Sequence, residues 1–251
     1  MALFKSGNPS LNENVFTQNL AAQSSEVMTI RGTVNKFGFL FAMVLASAVF
    51  TWHVYAQGAD VSAYLWGGAI GGLVIALVII FKREWSPFLA PAYGLAEGLF
   101  VGAISAYFND VFAEKQPFLV MQAVGLTFGV VIAMLILYKL RIIRATETFK
   151  SVVITATMGI AIFYLMTIAL RFFSIDIPFV HEGSITGIIF SLAVVSIAAL
   201  NLILDFDKIE TGSQQGVAKY MEWYCAFGLL VTIVWLYLEI LRLLAKVNSR
   251  K

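Results

Sequence analysis

Residues 226–242 read AFGLLVTIVWLYLEILR: thirteen positions without a charge, then Glu239 and, three residues on, Arg242. Flanking apolar residues extend the run to about 224–244. At about 1.5 Å of rise per residue, such a helix reaches across a hydrocarbon layer of roughly 30 Å. It is the last of seven stretches of this kind, the others covering about 37–55, 63–81, 89–107, 118–138, 152–173 and 183–204. Lipid offers no partner to a backbone N–H or C=O, so each span must be a helix; the alternation of a β-barrel strand is absent. The expected fold is an all-α membrane protein, a seven-transmembrane helix bundle over residues 34–251. No internal repeat points to an inverted-repeat transporter.

Composition narrows the function. Hydrophobic residues make up 60% of the chain and charged residues 13%, so the bilayer is its solvent. The 17 Lys and Arg residues are scattered over short connections with a net charge of +2, so no basic face is left for a nucleic acid. One cysteine, Cys225, excludes an internal disulfide and a multi-cysteine metal site. The only histidines, His53 and His181, fall near span ends, and neither a nucleophile motif nor a metal-ligand spacing accompanies them. Neither an enzyme nor a bound cofactor is expected. A retinal-type photoreceptor would need a lysine in mid-membrane, whereas Lys219 and Lys246 lie towards the two ends of the last helix.

Residues 1–33 are a different material, rich in Asn, Gln, Ser and Glu and without the apolar core of a cleavable signal peptide. They are expected to form a polar cytosolic tail. With the N-terminus inside, eleven Lys and Arg residues fall on the cytosolic side: Lys5, Arg31, Lys36, Lys82, Arg83, Lys139, Arg141, Arg144, Lys150, Lys208 and Lys219. Lys115, Arg171 and the basic end of the chain fall on the other. A basic end outside departs from the rule, so a seventh segment that dips in and returns is the alternative to a full crossing.

Chemistry is confined to a few positions. In the third span, Gly94, Gly98 and Gly102 recur every four residues and line one helix face, the arrangement that lets two helices approach closely. Glu97 stands beside that seam and is expected to face the bundle interior, either handling ions or bridging helices as a neutral acid. At the end of the sixth span, Asn201 and Asp205 lie one turn apart on a common face. Asp207, next to Lys208, points elsewhere and suits a solvated helix end. Glu239 is either a second buried carboxylate or a snorkelling partner of Arg242.

The Glu-Gly pair of the third span, Leu204-Asp-Phe-Asp-Lys-Ile209 and Leu236-Tyr-Leu-Glu-Ile-Leu-Arg-Leu-Leu244 resemble the Bax inhibitor-1 family, over about residues 28–248. The entry Met28-Thr-Ile-Arg-Gly-Thr-Val-Asn-Lys36 is similar to its bacterial branch. The resemblance implies a bundle with the last helix central, in a bacterial inner membrane, acting as a pH-sensitive calcium leak. It gives Asp205 the first and Glu239 the second position of a carboxylate latch, both possible calcium ligands, with calcium or protons as what moves. It also implies a rival reading, an interaction protein that modulates a membrane-bound ATP-dependent protease through its polar tail. In physical terms, two close carboxylates in a low dielectric titrate as a coupled pair: a shared proton holds them together, and its loss leaves a repelling pair able to attract a hard cation. Thirty-four residues separate Asp205 from Glu239, so the latch requires an interruption near 212–216 and a restart before Tyr224.

Overall fold

The computed structural model describes residues 27–173 and 184–249. Seven helices follow one another: α1 (Ile30–Ala56), α2 (Ser62–Phe81), α3 (Ser86–Val111), α4 (Leu119–Lys139), α5 (Glu147–Phe172), α6 (Ile185–Gln214) and α7 (Met221–Ser249). All seven are long and apolar enough to cross a membrane. The chain is a multi-pass helical membrane protein.

Three of the helices start where the sequence offers a hydroxyl as first acceptor. Thr29, Thr146 and Ser184 each take a hydrogen bond from the backbone N–H three residues on, capping α1, α5 and α6. These caps lie outside the apolar runs, so the helices begin earlier than hydropathy alone suggests. Ile30–Thr33, expected in the tail, form the first turn of α1; residues 1–26 of that tail lie outside the described residues. Gly216, at φ +62°, ends the α6 connection in the left-handed region that favours glycine, and the chain turns into α7 at Met221. The interruption expected there is present. From Met221 to Ser249, α7 runs unbroken for 29 residues, about 43 Å at the helical rise, with no break at which the segment could turn back.

Of the seven helices α7 is the most buried, packing against α1, α3, α4 and α6. Ala226, Leu230 and Leu236 are fully enclosed. α5 is the opposite case: it presents almost its whole surface outwards and touches mainly α6. The tightest packing is between α1 and α3. A Cβ added at Gly98 would come 1.9 Å from Ser47 Oγ and 2.3 Å from the Val44 carbonyl oxygen, and one at Gly102 would come 2.4 Å from the Ala48 carbonyl oxygen. The small-residue face of α3 therefore lies directly against the backbone of α1. α2 packs on another side of α3, where Gly68 leaves room for the Ala96 carbonyl.

At the end of the bundle where α1 begins, the chain is stapled together. Met28 N donates to the Val217 carbonyl at 2.8 Å, and Ser86 Oγ donates to the Tyr220 carbonyl at 3.1 Å. Glu222, fully buried in the first turn of α7, accepts from Thr29 N and Thr29 Oγ1 at 2.9 Å and from Lys219 Nζ at 2.8 Å, and pairs with Lys36. Gly32 leaves the space its carboxylate occupies. The start of α1, the α6–α7 connection and the base of α7 are thereby one unit.

Candidate functional site

Two polar contacts fix how α6 and α7 lie against each other. Thr232 Oγ1 donates to Asp205 Oδ2 at 2.6 Å, and Lys246 Nζ donates to Ser191 Oγ at 2.8 Å. Fourteen residues separate the donors along α7 and fourteen separate the acceptors along α6, as an antiparallel pair in constant register requires. Glu239 lies seven residues beyond Thr232, so its level on α6 is seven residues before Asp205, at the fully buried Ala198. Two helical turns, about 10.5 Å along the axis, lie between the two carboxylate levels.

The expected Asp205–Glu239 latch is corrected by this register. Glu239 is 2% exposed and turns to α5, where the Tyr164 hydroxyl donates to it at 3.1 Å; Arg242 Nη1 reaches it at 2.8 Å and also donates to the Tyr164 oxygen at 2.9 Å. The arginine stacks over the tyrosine ring, 5.3 Å from its centre. This is the Arg242 pairing the sequence offered as the alternative, completed by a tyrosine that sequence reading did not single out. Tyr164→Phe is expected to loosen α5 from the bundle, at a cost of about 1 kcal/mol for a hydrogen bond between membrane helices. Thermal unfolding in detergent checks it, with an unchanged midpoint counting against the clip.

Asp205 keeps a different environment. Half-buried in the second half of α6, it lines a cavity of about 240 Å³ between α2, α6 and α7, together with Lys208, Cys225, Gly228 and Ile80. The Thr232 hydroxyl has one hydrogen to give and two acceptors within reach, Asp205 Oδ2 and, at 3.2 Å, the Gly228 carbonyl of its own helix. A proton arriving on Asp205 would make it a weaker acceptor of that hydrogen than it is when ionised. Charge at this point thus bears on a contact that joins the two helices.

The remaining site residues lie apart. Asn201 donates to Thr157 Oγ1 of α5 at 2.7 Å and to the Ile197 carbonyl at 2.9 Å, so it is a helix-to-helix bridge rather than a continuation of the Asp205 face into a pathway. Asp207 pairs with Lys150 of α5 at 3.0 Å, with 21% of its side chain exposed. Glu97 faces α2, its carboxylate lying against Gly72. Glu222, the most enclosed carboxylate, was not anticipated. Its local signal was the Lys219–Glu222 spacing, but its other partners, Thr29 and Lys36, come from the far end of the chain. Among the described residues no three His, Cys, Asp or Glu side chains gather closely enough to hold a metal ion.

Comparison with known proteins adds one finding. A family model described as Bax inhibitor 1 like matches residues 8–249, nearly the whole chain. No curated protein matches it.

Proposed function

Since the chain belongs to the Bax inhibitor 1 like family, we propose that it is a pH-sensitive calcium leak in a bacterial inner membrane, its N-terminus in the cytosol, with Asp205 as the group whose charge sets the gate. The observation that supports this most is the Asp205 carboxylate, facing a cavity between α2, α6 and α7 and bonded across the α6–α7 interface to Thr232. An ionised carboxylate inside a bundle is costly unless something compensates it, and here a proton or an entering cation would serve. Protonated, Asp205 offers a cation little. Ionised, it offers a hard, charged oxygen of the kind calcium prefers, and it claims the Thr232 hydroxyl. One carboxylate with a threonine partner takes the place of a carboxylate pair, because Glu239 is already neutralised by Arg242.

Calcium flux into proteoliposomes, measured across pH, tests the reading. Wild-type flux is expected to rise as the proton leaves, and Asp205→Asn is expected to flatten that rise and weaken calcium's apparent affinity, because an amide keeps an oxygen but not the charge. Glu239→Gln is expected to keep the pH response. An Asp205→Asn protein with the wild-type profile would remove the proposal. The rival reading, modulation of a membrane-bound protease through the polar tail, is separated by deleting residues 2–27: a leak should persist, whereas a modulator should lose its effect.

A further inference from the structure

Residues 27–29, which lead into α1, are wedged where α6 hands over to α7. Val27 pairs with Ala218 in an antiparallel bridge, and Met28 N donates to the Val217 carbonyl at 2.8 Å. The Met28 side chain is 1% exposed and lies over the last turn of α6. A Cβ at Gly212 would come 3.1 Å from its sulfur, closer than packed atoms ordinarily stand, so glycine there leaves the methionine its seat. Thr29 then gives its N–H and hydroxyl to Glu222, buried in the first turn of α7. Three consecutive residues thus touch the connection, the end of α6 and the start of α7. Starting α1 requires none of these contacts, because the Thr29 hydroxyl already caps that helix locally.

The anchor points of this segment flank the Asp205 cavity. Lys208 lines the cavity one turn before Gly212, and Cys225 lines it one turn after Glu222, about 6 Å and 4.5 Å along the respective helices. Both helices are unbroken across those stretches. The α6 and α7 walls of the cavity are therefore carried by the same turns that residues 27–29 tie together. Widening the cavity between those walls would pull Met28 from its seat, strip the Val27–Ala218 bridge or drag α1 along. α1 resists being dragged, since Gly98 and Gly102 of α3 lie against its backbone at Val44 and Ala48.

We propose that Val27–Thr29 form a regulatory strap: while Met28 is seated, the strap holds the α6 and α7 walls of the Asp205 cavity together, and its release widens the cavity and admits cations to Asp205. The proposal rests on the reading of Asp205 as the gating group.

Cys225, the only cysteine of the chain, reports on the cavity directly. Met28→Ala, which empties the seat, is expected to speed alkylation of Cys225 by a maleimide and to raise calcium flux into proteoliposomes, each by roughly tenfold. The converse needs no loss of packing. Val27→Cys with Ala218→Cys places thiols on residues opposed across an antiparallel bridge, whose Cα atoms stand about 4.5–5.5 Å apart, within reach of a disulfide. Oxidation, followed by mass spectrometry, is expected to slow alkylation at the Cys225 peptide and to cut flux by roughly tenfold, and a reductant should restore both. One preparation, oxidised and then reduced, serves as its own folding control. A fully formed disulfide that changes neither quantity, or a folded Met28→Ala protein that alkylates at the wild-type rate, would overturn the strap. Failure of the leak reading shows differently, as an Asp205→Asn protein with the wild-type pH profile, and Cys225 alkylation then still decides whether the strap governs the cavity.

Discussion

Gly98→Leu is expected to yield no folded protein. The α1 backbone leaves no room even for a methyl group at this position: a Cβ would lie 2.3 Å from the Val44 carbonyl oxygen and 2.9 Å from the Val44 Cα. Those are backbone atoms, so no rotamer change relieves the collision and the whole of α3 must move away from α1. Ordinary overpacking costs about 1–3 kcal/mol, and a collision with main chain in the closest helix pair of the bundle goes beyond that. Gly98→Ala should already lower the thermal midpoint markedly. Gly125→Ala is the control, because α4 has nothing within 4 Å of the added carbon, and it should be neutral or slightly stabilising. Yield of monodisperse protein and thermal unfolding in detergent read the series; a well-folded Gly98→Leu protein would contradict the packing described.

Glu222→Leu should be the second most damaging change. The carboxylate is fully buried, balances Lys36 and Lys219, and accepts the Thr29 N–H and hydroxyl. Leucine would leave the Thr29 N–H and hydroxyl without their acceptor, while Lys219, 46% exposed, turns to solvent, and an unsatisfied buried donor costs about 1–3 kcal/mol. Glu222→Gln keeps an acceptor and should cost less. Combining it with Lys36→Met should recover part of the loss, since the unbalanced ammonium goes as well. Thermal unfolding again gives the answer, and limited proteolysis between Met28 and Gly32 should accelerate in Glu222→Leu. If neither quantity moved, the staple at the base of α7 would not be holding α1.

Much of this architecture was legible in the sequence. The seven spans follow from apolar runs of the right length, and the Gly94–Gly98–Gly102 face follows from its spacing, because both are local properties of one helix. The pairing of helices was not legible. Glu239 and Arg242 declare each other at three residues' distance, but Tyr164 is 75 positions away and nothing near it in sequence distinguishes it from the other tyrosines. Asp205 met Thr232 rather than Glu239 because the α6–α7 connection sets the register, and a shift of two helical turns is invisible in a pattern of apolar residues that looks alike on every turn. Asn201 shares a face with Asp205, yet its amide was drawn to Thr157 on a helix whose position only packing determines. Glu222 was overlooked for the reason that buried ion pairs usually are: charges at a span end read as solvated until the other end of the chain folds over them.

The central place of α7 bears on how the protein is made. A ribosome delivers helices in order, so α1 to α6 are in the bilayer before the helix they surround has been synthesised. Until then the faces of α1, α3, α4 and α6 that will meet α7 can be covered only by lipid or by the insertion machinery. The final helix must slot into a space that its predecessors keep open, and only afterwards can Lys36 find Glu222 or Asp205 find Thr232. Assembly is therefore completed only once α7 has been made, and a chain stopped short of Met221 would hold six inserted helices without the one they pack around.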